Sequence, residues 1–376
     1  MPILPDARNG SDLEIKGRRV EYSSWPVTRT IRRYGIQSRI FATNPWAIIR
    51  GAINKRCPAH AKEQALAFRD QAEDYFNAAK NAGLLAAKPV LLYYCLLNLA
   101  KTYVLTVGTR TSYGSAYHGL KERLPQGGQE LADSYLEAVP TGTNVNVFDD
   151  FLTAVSGTSL QANMQFKLAH LMPQILQGHR LWAAASDETE RFIAIDRISV
   201  KQNRPSKQIW LQLEVFEDDL MRLGISHANL LSDGRLATPF SEVKGIERNG
   251  RKVLFFQQNN PIVYTHRPSD KLQELVDSVR PYVWENVLSI PPYRKHYVYL
   301  SRQTEHSFVL PQVLSIYAVF YYFGSVTRYK PEKFARLIRG EYGSQIEEIV
   351  NNLPNQFIYL MASYFQKQEV TRAAIV

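Results

Sequence analysis

A chain of 376 residues with 45% hydrophobic and 11% aromatic content is long enough to bury a full core, which excludes an intrinsically disordered protein. Its two cysteines, Cys57 and Cys95, exclude a disulfide framework or a thiolate metal centre and point to a reducing, cytoplasmic setting. The formal net charge of +10 favours polyanionic partners, because each neutralised phosphate releases counterions.

The start, Met1-Pro2-Ile3-Leu4-Pro5-Asp6, lacks the charged-then-apolar order of a signal peptide. The nearest approach to a membrane-spanning run is Val309 to Phe323, interrupted by Pro311, Gln312 and Ser315, so no membrane insertion is expected.

Residues 1–57 read as a basic, irregular arm in which Arg18, Arg19, Arg29, Arg32, Arg33, Arg39, Arg50, Lys55 and Arg56 are interleaved with Trp25, Tyr34, Phe41 and Trp46. Basic residues with spaced aromatics can grip a phosphate backbone and stack bases, which makes Arg32 and Arg33 candidate contacts. The plainer expectation is that Trp25 and Trp46 anchor the arm while its arginines stay solvated. Asp6 followed by Glu14-Ile15-Lys16 has the lettering of a metal-dependent nuclease, but nothing before Asp6 can supply the paired strands that would hold a divalent ion.

Residues 58–190 read as a helical half. Pro58 opens a helix through Lys80, with Ala61, Ala65, Phe68, Ala72 and Ala79 on one side, closed by Gly83. A second helix starts at Lys88-Pro89, is apolar on nearly every side, and ends at Gly108; the short link predicts an antiparallel pair. A loop, Thr109 to Tyr117, leads into His118-Gly119-Leu120-Lys121-Glu122-Arg123. Helical signals follow over 128–138, over 146–155 between Asn146 and Gly157, and over 160–172.

Between Arg191 and His266 the period changes. Short runs at 192–195, 198–200, 208–215, 251–256 and 262–264, bounded by Gly, Pro, Asn and Asp, predict an inserted antiparallel sheet with Asn249-Gly250 as a hairpin turn. Helical spacing returns over 269–284. A strand-like piece at 296–300 precedes a second apolar helix over 309–327, ending at Arg328-Tyr329-Lys330-Pro331. Helices over 334–338 and 344–365 complete the set, and 366–376 reads as a tail. The fold class is α+β: two buried apolar helices with flanking amphipathic ones, 267–376 packing on 58–190, and the sheet of 191–266 inserted between them.

The segments Pro89-Val90-Leu91-Leu92-Tyr93-Tyr94 with Leu99-Ala100-Lys101, His118-Gly119-Leu120, Met172-Pro173, Thr304-Glu305-His306, and Arg328-Tyr329 with Pro331-Glu332 resemble the YaaC-like family of bacterial proteins, over roughly residues 60 to 365. The resemblance implies a helical core similar to HEPN-type bundles, many of which are ribonucleases of bacterial conflict systems or their inactive relatives. It thereby implies a defence or stress role. Those enzymes use an Arg followed closely by a His; Arg110 and His118 are eight positions apart, a departure from that spacing.

His118 is the leading titratable candidate, since an imidazole can move protons near neutral pH and a neighbouring Arg110 or Arg328 can stabilise phosphoryl charge. Packed in parallel, the two apolar helices would bring Arg328 to the Arg110–His118 loop with Lys101, Glu305 and His306. Lys121 and Arg123 would extend the anion surface, and Tyr329 would support it. The competing expectation is structural, with His118 holding a loop and Arg328 paired with Glu305 or Glu332.

Asp149-Asp150 fits helix capping, Glu217-Asp218-Asp219 surface acidity, and His170 and His179 do not suit a zinc pair; no metal and no cofactor are expected. The functional expectation is nucleic-acid association, RNA or DNA, by binding. A metal-independent ribonuclease centred on His118, or a non-enzymatic subunit working with a protein partner from the same locus, are the alternatives.

Overall fold

The computed structural model describes residues 4–26, 39–83, 85–225, 239–288, 294–301 and 309–373. Arg32, Arg33, Glu305 and His306 lie outside them. The chain divides into two compact units: Met1–Thr43, Thr189–Ser307 and Lys367–Val376 form a sheet unit, and Asn44–Glu188 with Phe308–Gln366 form a helical unit. The segment expected as one N-terminal arm is therefore divided between them, as its hydrophobic pattern changes at Pro45.

In the helical unit, Asn44 caps a helix (α1, Pro45–Arg56) by accepting from the Ala47 N–H at 3.2 Å. This helix replaces the irregular chain expected before residue 58, because Trp46, Ile49 and Ile53 are buried on one face. Trp46 meets Phe76 of the next helix (α2, Ala59–Asn81) at 5.9 Å between rings. The buried Arg69 lies over the Trp46 ring and is paired with Asp70 and Glu73, each at 2.6 Å.

The apolar helix α3 (Lys88–Val107) opens on Pro89, closes on Gly108 at φ 79°, and runs antiparallel to α2, with Asn98 bonded to Gln71 and Thr102 to the Ala65 carbonyl. Among the described residues α3, rather than the expected Val309–Phe323 run, is long and apolar enough to cross a membrane, yet 72% of its most apolar window is buried in protein.

The helix α4 (Val147–Ser156) ends on Gly157 at φ 76°, as its caps foretell. The helices expected over 128–138 and 160–172 are not formed. Leu120–Arg123, Tyr135–Ala138 and Met164–Lys167 make a three-stranded antiparallel sheet, followed by short turns at Leu168–Leu171 and Met172–Gln174. Leu131 at φ 70° stops any helix through its segment. Alternation then decides the rest, for Leu136, Ala138 and Phe166 are all fully buried.

The second apolar helix, α5 (Gln312–Tyr329), lies with its C-terminal half against the first turns of α3. A Cβ on Gly324 would sit 2.9 Å from Tyr93 Cβ and 3.3 Å from the Pro89 carbonyl, so the approach requires glycine. The unit also holds a short helix at His179–Ser186 and two C-terminal helices, α6 (Pro331–Arg339) and α7 (Gly343–Gln366).

In the sheet unit the strands run in the order Ser11–Asp12, Arg197–Asn203, Gln208–Phe216, Arg251–Gln258, Phe240–Arg248, all antiparallel, with Ile262–Val263 also on Gln208–Phe216. Asn249 and Gly250, at φ 52° and 71°, form the expected two-residue hairpin turn. A smaller sheet joins Val283–Val287, Arg294–Tyr299 and Phe192–Ala194. The helix expected over 269–284 is cut to Leu272–Asp277, because Pro281 cannot donate and Trp284 belongs to a strand.

The expected tail is instead a strand, Val370–Arg372, pairing in parallel with Ile40–Ala42. The buried Arg294 fixes it there: it bonds the Val370 carbonyl at 2.6 Å and pairs with Glu285 and with Glu369, the latter at 3.0 Å. With both carboxylates and the guanidinium buried, removing one partner would leave an uncompensated charge.

An alanine in mid-helix ordinarily stabilises by about 0.5–1 kcal/mol over glycine. At Gly324 the sign should reverse: Gly324→Ala is expected to destabilise by about 1–3 kcal/mol through forced separation of α3 and α5. Urea unfolding of the two proteins measures it.

Candidate functional site

Tyr93 and Tyr94 sit in the second turn of α3. Tyr93 is 2% exposed, and its ring meets those of Tyr317, Tyr321 and His118 at 6.0, 5.3 and 5.4 Å. Its hydroxyl lies 2.5 Å from His118 Nδ1. Burial raises the Tyr93 and Tyr317 phenols well above their ordinary pKa, so both keep their protons.

Tyr317 is fully buried, with its ring packed edge-on against that of Tyr93. Tyr93 and His118 Nδ1 share one hydrogen bond, whose donor is set by which ring nitrogen of His118 carries the proton.

His118 reaches Tyr93 because the loop after α3 is tied down along its length. Arg110 forms a bidentate pair with Asp150, at 2.6 and 2.9 Å, and Tyr113 donates to the same carboxylate at 3.0 Å. Gln64 exchanges bonds with the Tyr113 backbone at 2.8 and 2.6 Å. The Phe148 N–H at the start of α4 donates to the His118 carbonyl at 3.1 Å. Gly119, at φ 79°, turns the chain where a Cβ would meet Asn146 at 2.9 Å. Asp149 and Asp150 are thus loop anchors, beyond the simple capping expected; Asp149 accepts from the Thr141 and Leu160 N–H groups at 2.7 Å each.

Arg328, at the exposed end of α5, donates to the Tyr94 hydroxyl and lies over the rings of Tyr94 and Tyr329, at 5.9 and 4.3 Å. It therefore sits at the N-terminal end of α3, about 20 Å along the helix axis from Gly108. The expected meeting of helix ends does not occur. His118 comes within range of Arg328 by the return of the loop instead, since each apolar helix packs where Gly324 permits.

Lys101 lies over the Phe68 and Tyr113 rings at 4.9 and 5.7 Å, and burial lowers its pKa. Among the described residues neither Arg328 nor Lys101 forms an ion pair. Partial burial, then the charges of Arg328 and Lys101, push the His118 pKa down to about 4.

Arg110, committed to Asp150, faces away from this role. On the neighbouring strand Lys121 is exposed, and Arg123 pairs with Glu137 at 3.3 Å. Glu122, between them, takes Lys330 at 2.8 Å. Tyr329 is 66% exposed.

The other motifs serve structure. Glu217, Asp218 and Asp219 pair with Lys252, Arg251 and Arg222. The buried His179 bonds the Pro173 carbonyl at 2.8 Å. Asp6 pairs with Lys244 at 3.8 Å, whereas Lys16 forms the turn between Glu14–Ile15 and Arg18–Arg19. Among the described residues no group of His, Cys, Asp and Glu could hold a metal ion. Sequence reading missed Tyr93, Tyr94, Tyr317 and Tyr321 as site residues because they look like any aromatic core stripe. The one signal was the density of tyrosine in both apolar helices.

The helical unit is an aromatic-cored bundle that presents a neutral imidazole beside two cations that form no ion pair among the described residues. The chain belongs to the YaaC-like Protein family, whose model matches residues 34–365. Comparison with curated proteins gave no match.

A histidine with its folded pKa below the unfolded value near 6.5 contributes stability above that pH, and the contribution is lost as pH falls toward the folded value of about 4. His118→Gln should flatten the stability profile between those limits relative to wild type. Urea midpoints across that range measure it. In the NMR titration of His118, Arg328→Ala should move the pKa upward, since one of the charges opposing protonation is gone.

Proposed function

We propose that this protein binds nucleic acid through phosphate groups at the cluster of His118, Arg328 and Lys101, and acts by binding. The observation that carries the reading is electrostatic: two cations act on a neutral imidazole, and among the described residues neither forms an ion pair with a carboxylate. Elsewhere in this unit Arg69, Arg110, Arg123 and Lys330 are each matched to an acid. A site that leaves cations unmatched suits an anionic ligand.

Binding is favoured over turnover by the protonation state of His118. A ring whose pKa lies this far below neutrality is a weak proton acceptor, which disfavours general base catalysis. With its pKa near 4, the ring holds no second proton to give as a general acid at neutral pH. The net charge of +10 supports a polyanionic partner. The family resemblance carries the further reading that such binding serves a bacterial defence or stress system, with a protein partner from the same locus.

The test is fluorescence anisotropy with a labelled oligonucleotide over a range of salt. Wild type should bind with strong salt dependence, and Arg328→Ala should weaken binding and reduce the slope of log K against log salt by about one. An unchanged slope would remove the site. Cleavage of RNA by wild type, abolished by His118→Ala in a folded protein, would replace binding with the ribonuclease reading.

A further inference from the structure

We infer that the nucleic acid taken by this site is single-stranded, with a base stacked on Tyr329 while its phosphate meets Arg328. The inference rests on the phosphate-binding reading above and narrows its ligand class.

Tyr329 is a large aromatic side chain, 66% exposed, at the end of a helix that is otherwise buried for most of its length. Nothing in the packing of the core needs it there. Its neighbour in sequence, Arg328, lies over the ring at 4.3 Å, so that guanidinium and phenol pack together. The packing continues inward: Arg328 lies over Tyr94 at 5.9 Å, and Tyr94 stacks on Tyr75 at 5.5 Å with 27° between planes. Beside His118, Tyr117 is 59% exposed.

A free phosphate would use the cations and have no use for exposed rings. A duplex would use cations along its backbone but keeps its base faces stacked inside. Among nucleic acids, an unpaired strand presents phosphate and base face together, and stacking on an exposed ring accepts any base. Tyr329 reads as the base platform and Arg328 as the joint between platform and phosphate contact.

The experiment compares a labelled single-stranded oligonucleotide, as RNA and as DNA, with its duplex, by anisotropy on the full chain. Each is measured for wild type, Tyr329→Ala and Tyr329→Phe. The exposed position makes loss of folding no concern, and circular dichroism checks it.

Single strands should bind more tightly than duplex by about tenfold or more, and Tyr329→Ala should lose about that factor on single strands alone. Its salt slope should stay unchanged, since stacking releases no counterion, and Tyr329→Phe should restore the affinity. Duplex binding that equals or exceeds single-strand binding, or a Tyr329→Ala protein that binds like wild type, overturns this inference while phosphate binding stands. If no oligonucleotide binds at any salt, both readings fall together. A preference for RNA over DNA would add a 2′-hydroxyl contact to the stacking, and equal binding would leave stacking and phosphate as the whole of it; either supports the single-strand assignment.

Discussion

The close contact of α3 with α5 at Gly324 is the constraint on which the helical unit depends. A glycine in the last turns of one apolar helix lets the first turns of the other approach until Tyr93 touches Tyr317 and Tyr321. Those rings are core residues by burial and site residues by chemistry. The Tyr93 hydroxyl shares a hydrogen bond with His118 Nδ1, and the Tyr321 hydroxyl donates to the Leu120 carbonyl. The packing of two greasy helices thereby holds an imidazole at the edge of the core.

Several cations of the same unit are matched to acids: Arg110 to Asp150, Arg69 to Asp70 and Glu73, Lys330 to Glu122. Where Arg328 and Lys101 gather near His118, the matching is absent among the described residues and aromatic faces take its place. These cations cost the neutral ring nothing and oppose only its protonated form, and perturbed groups of this kind concentrate at functional sites.

The sheet unit shows the opposite solution. Arg294 is buried with Glu285 and Glu369 close on either side, and the three hold the Val370–Arg372 strand against Ile40–Ala42. Segments from far apart in the chain are held by ionic contacts that no local pattern announces.

Sequence by itself determined the α+β class, the apolar helices with their proline starts and glycine ends, the antiparallel pairing of α2 with α3, the Asn249-Gly250 hairpin, and His118 and Arg328 as residues of interest. These follow from local rules of period, capping and turn chemistry. Tertiary structure alone decided the rest. The strands at 135–138 and 164–167 form because partners lie beside them, against the helical look of their own residues. The terminal segment 370–372 becomes a strand because Ile40–Ala42 waits for it. Arg110 was assigned to Asp150 rather than to phosphate by a contact forty residues apart. His118 met Tyr93 because a loop anchored at Gln64, Asp150 and Phe148 turns back on its own helix, and no period in a sequence encodes where a chain returns.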